Sequence, residues 1–501
     1  MFEFILPIVF FLTFCYIIYK HSFFHFSFLK KKLLPLVFTV KVAVALVFFL
    51  LYTFYYQDRS TADIFKFFDD SVVLFQLFHE SPADFFRLIF GGEISLIQEA
   101  YINRLNFWVN SNPNELYNDS RLMIKLNALL HFVSFGYYGV HLVVFTFLSF
   151  VGFTFLYKAF ERFFEHKKLL LLVVFFVPSV LFWSTGVSKE SILFFGLGLF
   201  LYAYFKLIHV FQSVKYIFLL LLSILIMLSI KPYIFLLIIP ALLIYFIIEK
   251  YQWKRVLLSY VLGYFFIVLI GISVGELFPK YKLINQIATK QNNFINMAQG
   301  GVYMYDDKGE IRVPYENKAS IFFINDTLCK LPKNTLIEFR EKGSNNFVPI
   351  IYNDDTTVFK VTFNQPASGS LIHTNKLDGD IVSFTLHVPK ALYYAMFKPF
   401  LFSSRNPLLL ISGIENFFIL LMLIVAILFR KKQFNSNLVA FGFTSTLLIL
   451  VFVGITTPVM GAIVRYKIPA LVLLMISVLA LVDINRFKIN THYSLYSKYL
   501  S

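Results

Sequence analysis

About eleven apolar segments, near residues 2–19, 33–56, 137–157, 169–183, 191–205, 216–230, 233–248, 256–275, 408–429, 438–456 and 468–484, constrain this chain more than any motif in it. A spanning helix needs roughly 20 apolar residues, and in lipid every backbone N–H and C=O must be paired within the segment, so runs of this kind are read as transmembrane helices. Composition agrees: 58% of the 501 residues are hydrophobic and only 15% are charged, which excludes an ordinary soluble protein. The expected fold is an all-α polytopic membrane protein. It has about 11 transmembrane helices, interfacial helices in the first outer loop, and a small β-rich extracytoplasmic insertion. The 65 phenylalanines and 29 tyrosines supply packing bulk and interfacial rings, and require no cofactor.

The formal net charge of +16 is concentrated in connections such as "KHSFFHFSFLKKK", "YKAFERFFEHKK", "KLIHVFQSVK", "EKYQWKR" and "RKKQ" and in the tail from Arg486. These fall on alternate connections, as one membrane orientation requires, so they report cytoplasmic loops and no nucleic-acid partner. That orientation puts the N-terminus outside and the C-terminus in the cytoplasm. Residues 57–136, 184–190, 231–232, 276–407 and 457–467 then lie on the far side. Glu3, with no basic region before the first apolar run, marks that run as a retained helix and not a signal peptide. Cys15 and Cys329, one in an apolar and one in a polar segment, imply neither a disulfide nor a cysteine metal site.

Four segments, 169–183, 191–205, 216–230 and 233–248, are shorter than a full span and form two hairpins with outward tips. Lys189, Glu190 and Lys231 stand on those tips, the first two within "FWSTGVSKES". Tips that stop below the outer surface would floor a wet vestibule, where irregular backbone can be hydrated.

The first outer region, 57–136, holds interfacial helices. Ile64, Phe67, Phe68, Val72 and Phe75 recur at helical spacing, with Asp63, Lys66, Asp69 and Asp70 assigned to the opposite face. Ser81-Pro82 with Asp84 signals a second helix start and Gly91-Gly92 its stop; a further stretch runs from Asp119 to the "SFGYYG" break. Residues 300–387 differ in kind. "TLIEF", "FVPIIY", "TTVFKVTF" and "IVSFTLHV" alternate as strands between turn signals, defining a β-rich insertion between transmembrane parts 1–299 and 388–501.

No P-loop, GxGxxG, HExxH or GxSxG is present, so chemistry is sought in charges that a membrane protein would otherwise avoid. Adjacent Asp69 and Asp70 repel, which raises one toward base strength or equips the pair to hold a divalent cation such as Mg or Mn; Asp63, about two turns earlier on the same helix, is a third candidate. Lys189, Lys231, Arg405, Arg465 and Lys467 are cations at outward ends, suited to clamping a lipid-linked phosphate or to snorkelling among headgroups. Glu415 lies deep in a span and needs a partner, either a helix-to-helix hydrogen bond, through Asn416 for example, or a substrate contact. His131 and His141 flank the "SFGYYG" break and read as interfacial.

The acidic helix in the first outer loop, the short hairpins with charged tips, the "VRYKIP" stretch opening the last span and the late outer domain together resemble the GT-C class of polytopic glycosyltransferases. "FWSTGVSKES" and "FLFSSRNPLLLISGIENFF" also look like stretches in bacterial membrane proteins of polysaccharide clusters. The resemblance implies a bacterial inner-membrane enzyme of cell-surface polysaccharide assembly, taking sugar from a polyprenyl-phosphate-linked donor to a glycan or lipid acceptor. By the same resemblance Asp69 or Asp70, with Asp63 in reserve, would activate the acceptor, while Lys189, Lys231, Arg465 and Lys467 would bind the lipid phosphate. Two spans precede the acidic loop instead of one, and the outer domain sits between spans and not at the C-terminus. A repeat-unit polymerase and a lipid-glycan flippase are the competing readings.

Overall fold

A computed structural model describes residues 2–57, 59, 62–93, 95–108, 118–209, 213–278, 282–306, 309–325, 328–341, 347–365, 367–372, 374–402 and 406–487. It is 72% helical. The first outer stretch is reached through α1 (Phe2–Lys20) and α2 (Leu33–Leu50, continued by a π-turn over Leu51–Tyr56). It contains α3 (Asp63–Glu80), α4 (Pro82–Phe90), α5 (Leu96–Ile102) and α6 (Ser120–Ser134). The bundle continues with α7 (Tyr138–Phe160), α8 (Lys167–Phe175), α9 (Pro178–Trp183), α10 (Lys189–His209), α11 (Val214–Ile230), α12 (Pro232–Tyr251) and α13 (Val256–Leu277). After α14 (Leu283–Gln299) and the sheet come α15 (Ile381–Phe397), α16 (Pro407–Leu428), α17 (Ser436–Thr456), α18 (Met460–Tyr466) and α19 (Ile468–Leu481).

Among the described residues, eight helices are long and apolar enough to cross a membrane: α1, α2, α7, α10, α12, α13, α16 and α17. A ninth crossing results if α18 and α19, bent by 52° at Lys467, count as one span. The chain is therefore a multi-pass membrane protein. Of the four segments expected to be short, two are not, because the polar residues at their ends join the helix: α10 has 21 residues and α12 has 20. α11 stays short at 17 residues. The segment 169–183 is broken into α8 and α9 because Pro178 has no N–H to donate and holds Val177 in the extended region.

The centre of the bundle is built on close backbone approach. α7 and α10 cross at Gly152 and Gly198, where a Cβ on Gly198 would meet the Gly152 carbonyl oxygen and a Cβ on Gly152 would strike the backbone of Phe194 and Phe195. Small residues let helices associate in lipid through dispersion contacts that bulkier residues would hold apart. At the periphery α1 and α13 leave most of their apolar side chains uncovered, as lipid-facing helices do.

The basic connections come together at one end: Lys158 lies over the rings of Phe23 and Phe26, Arg162 over Phe205, and Asn437 donates to Glu249. The opposite end gathers α3, α6, the 184–188 turn, the Lys231 corner, α18 and the sheet.

The sheet has seven antiparallel strands in the order β3-β4-β7-β1-β2-β5-β6. They are β1 (Gly301–Asp306), β2 (Gly309–Pro314), β3 (Phe322–Asn325), β4 (Leu328–Lys330), β5 (Thr335–Glu341), β6 (Val348–Tyr352) and β7 (Val358–Gln365). One face packs Val302, Met304, Ile311, Val313, Cys329, Ile337 and Phe359. The other carries the pairs Arg312–Glu338 and Arg340–Glu310 and is tied to α14 through Arg340 and Asn293. "IVSFTLHV", expected as a strand, is instead the start of α15. Asp380 accepts a hydrogen bond from Ser383 N (2.7 Å) as an N-cap, and the helix packs on α17, so capping overrides the β-branched pattern.

Replacing Gly198 by Leu should destabilise the protein by about 1–3 kcal/mol or prevent its accumulation, because the overpacked side chain meets backbone. Gly271→Leu on α13, where nothing lies within 4 Å of the added Cβ, should be tolerated. Thermal midpoints in detergent would compare the two.

Candidate functional site

The largest concentration of charge lies where α3, α10, α12 and α18 meet. α10 begins at Lys189, so Glu190 sits in its first turn, where the helix dipole favours a carboxylate. Pro232 opens α12, leaving Lys231 at the N-cap corner, and the bend before Pro469 turns Arg465 inward.

The Arg465 guanidinium grips Glu190 with two parallel bonds, Nε to Oε1 (2.7 Å) and Nη2 to Oε2 (2.6 Å). Lys231 Nζ donates to the same Glu190 Oε1 at 2.7 Å. Arg465 Nη1 reaches Asp63 Oδ2 at 2.6 Å, and Lys66 holds Asp63 Oδ1 at 2.5 Å. Lys189 turns to Asp119, with Ser120 Oγ at 3.4 Å. Rings complete the walls: Tyr466 under Lys231 at 4.1 Å, Phe67 under Lys189 at 5.0 Å, Phe107 under Lys66 at 4.8 Å and Trp183 beside Arg465 at 6.0 Å. Side-chain exposure rises from 0% at Glu190 through 25% at Asp63 to 39% at Asp119, so the cluster opens toward α3 and α6. Four cations face three carboxylates, an excess of one positive charge. Burial works against an ionised Asp63, but Lys66 and Arg465 outweigh it and hold the carboxyl well below the usual carboxylate range.

Of the residues singled out from sequence, Asp63, Lys189, Glu190, Lys231 and Arg465 are brought together here. Asp69 and Asp70 are not. Neighbours on a helix point about 100° apart, so Asp69 faces outward to Arg59, with bonds of 2.6 and 2.9 Å, while Asp70 turns inward. Asp70 was expected on the polar face of α3; it is buried and accepts from the backbone N–H groups of Asn106 (3.1 Å) and Phe107 (2.8 Å), closing the outer loop onto α3. Burial raises its carboxyl. The two carboxylates share no bonding partner, and no group of three His, Cys, Asp or Glu side chains that could hold a metal occurs among the described residues.

Lys467, two residues from Arg465 and at the bend itself, points away: it donates to Asn416 Oδ1 (2.7 Å) and Ala395 O (3.1 Å), tying α15, α16 and the start of α19 together. Glu415 accepts from both the N–H and the hydroxyl of Ser179, each at 2.6 Å, and so caps the orphan start of α9 inside the bundle. Arg405 lies outside the described residues. His131 and His141, expected at the interface, are buried 4.7 Å apart, ring to ring. His131 Nε2 lies 2.9 Å from Ser71 Oγ and His141 Nε2 lies 2.7 Å from Ser134 Oγ.

Sequence reasoning passed over Asp119, the partner of Lys189, and Lys41. Lys41 lies within α2, fully buried, with Nζ 2.8 Å from Ser184 Oγ and over the Phe153 ring. A lysine inside an otherwise apolar span was the available signal for it.

Comparison with protein-family models, curated proteins and solved structures found no match. The likeness to GT-C enzymes thus rests on layout and short stretches of sequence.

Glu190→Gln leaves Arg465 and Lys231 buried against a neutral side chain and should cost about 3–5 kcal/mol, whereas Asp69→Asn breaks an exposed pair and should cost less than about 1 kcal/mol. Chemical denaturation in mild detergent would read both. Burial also lowers His131 to about 4 from 6.5. Its contribution to stability is therefore present above pH 6.5 and is lost as pH falls toward 4, because the unfolded chain takes up the proton first. A His131→Gln variant should show a flatter melting-temperature profile across that window.

Proposed function

We propose that this protein is a membrane glycosyltransferase acting at the outer face of the cytoplasmic membrane of a bacterium. It moves a sugar from a polyprenyl-phosphate-linked donor to a glycan or lipid acceptor during cell-surface polysaccharide assembly. The observation that carries the reading is the cluster of Arg465, Lys231, Lys66 and Lys189 around Glu190, Asp63 and Asp119, a partly open group with one spare positive charge and a reachable carboxylate in Asp63.

Glu190 fixes the guanidinium and the Lys231 ammonium, so that they meet an incoming phosphate with their geometry already set. The acceptor hydroxyl attacks the anomeric carbon, the bond from that carbon to the phosphate oxygen breaks, and the departing anion is stabilised by Arg465, Lys231, Lys66 and Lys189. The hydroxyl proton goes to Asp63. A carboxylate held by two cations is a weak base, and substrate phosphate competes for those same cations. As they turn to the phosphate, the proton affinity of Asp63 rises, which couples donor binding to base strength. The tight pairing of Asp63 is also the observation that favours a second reading, a polymerase in which cations alone drive departure of the lipid phosphate.

Complementation of a deletion strain at matched protein levels, read by mass spectrometry of surface glycan, separates the two. Asp63→Asn should lower glycan output by about 100-fold or more if the carboxylate is the base. Unchanged output with Asp63→Asn but loss with Arg465→Lys would assign the cation-only mechanism. Normal glycan from both variants would remove the transferase reading.

A further inference from the structure

At the opposite end of the bundle from this cluster a second charged site is built from two stretches of chain, residues 25–27 and 158–167. The loop after α1 gives His25, Phe26 and Ser27, the C-terminal end of α7 and the turn after it give Lys158, Glu161, Arg162 and Phe164, and the start of α8 gives Lys167. Together they line an open cavity of about 440 Å³. That volume lies in the range of small-ligand pockets.

We propose that this cavity binds a phosphoryl-bearing anion, either the headgroup of an anionic phospholipid or a soluble phosphate compound. Three basic side chains, Lys158, Arg162 and Lys167, line the cavity with one carboxylate, Glu161. Rings lie against Lys158 and Arg162, and their acidic neighbours are Glu161 for Lys158 and Tyr245 and Glu249 for Arg162. The ammonium of Lys158 lies 5.4 Å from the Phe23 ring centre and 5.5 Å from that of Phe26, and the guanidinium of Arg162 lies 4.4 Å from Phe163 and 5.6 Å from Phe205. Among the described residues, none of the three cations forms a salt bridge within 4.0 Å. Stacking on rings holds a cation in place without neutralising it.

The start of α8 adds to this charge. α8 starts at the cavity wall with no side chain capping its N-terminus; the Lys167 and Leu169 amides donate to the Glu165 and His166 carbonyls, and the helix dipole favours an anion there. Ordinary cytoplasmic loop charges extend singly into solvent. Here Lys158 and Lys167 are half-buried and converge from different elements, which is the arrangement that recognises headgroups between helices on the cytoplasmic side.

The test uses the full chain purified in neutral detergent. Native mass spectrometry would follow binding of phosphatidylglycerol against phosphatidylcholine, and thermal shift would follow binding of inorganic pyrophosphate. Lys158→Gln combined with Lys167→Gln should weaken binding by about tenfold, while Glu161→Gln, which removes the opposing charge and no packing, should strengthen it. Preference for phosphatidylglycerol alone assigns the headgroup; binding of pyrophosphate assigns a soluble phosphate ligand. Equal retention of both lipids with no pyrophosphate shift, or affinities unmoved by either variant, would overturn the proposal. Because the variants are expected to shift affinity in opposite directions, a misfolded lysine variant still leaves Glu161→Gln to decide.

Discussion

The two-bond grip of Arg465 on Glu190 is the interaction on which the charged end of this protein depends. In lipid-facing surroundings each charge alone would cost several kcal/mol to bury, and the pair persists because both carboxylate oxygens are matched by guanidinium N–H groups, with Lys231 on the remaining lone pair. Asp63 then joins from α3. An element lying outside the spans is thereby fastened to α10, α12 and α18, which are far from it in the chain.

Around that pair the helices break where the sequence forces them to. Pro178 and Pro469 open helices inside the bundle, and each break leaves polar backbone that another element must satisfy. Glu415 answers the first by capping α9 at Ser179, and Lys467 sits at the second, held by Asn416. These two intramembrane charges thus have architectural partners, and the charges left for ligand chemistry are those with an open side toward α3 and α6.

The two charged sites divide along the membrane axis. One combines acids and bases and opens at the end that carries the sheet. The other is mainly basic, with cations against rings at the end where the basic connections meet. The proposed transfer reaction draws on the first, and the proposed anion binding on the second.

Sequence by itself determined the membrane class, most helix positions, the alternation of basic connections, and local punctuation such as the Ser81 cap with Pro82 and the Gly91 stop, because these follow from hydropathy and from contacts within about four residues. It also identified Asp63, Lys189, Glu190, Lys231 and Arg465 individually, since a charge near the end of an apolar run is conspicuous. Only the tertiary structure decided which of them meet. Asp63 and Arg465 are 402 positions apart, a separation for which periodicity carries no information. The adjacent Asp69 and Asp70 attracted attention as a pair, but the helix turn sent one to Arg59 and the other into the loop backbone. Lys467 was assigned with Arg465 because both are cations at the outer ends of late spans, but it stands at the 52° bend between α18 and α19 and turns to Asn416, away from Arg465. Residue type set what each side chain could do, while helix phase and long-range packing set which of those capacities came together.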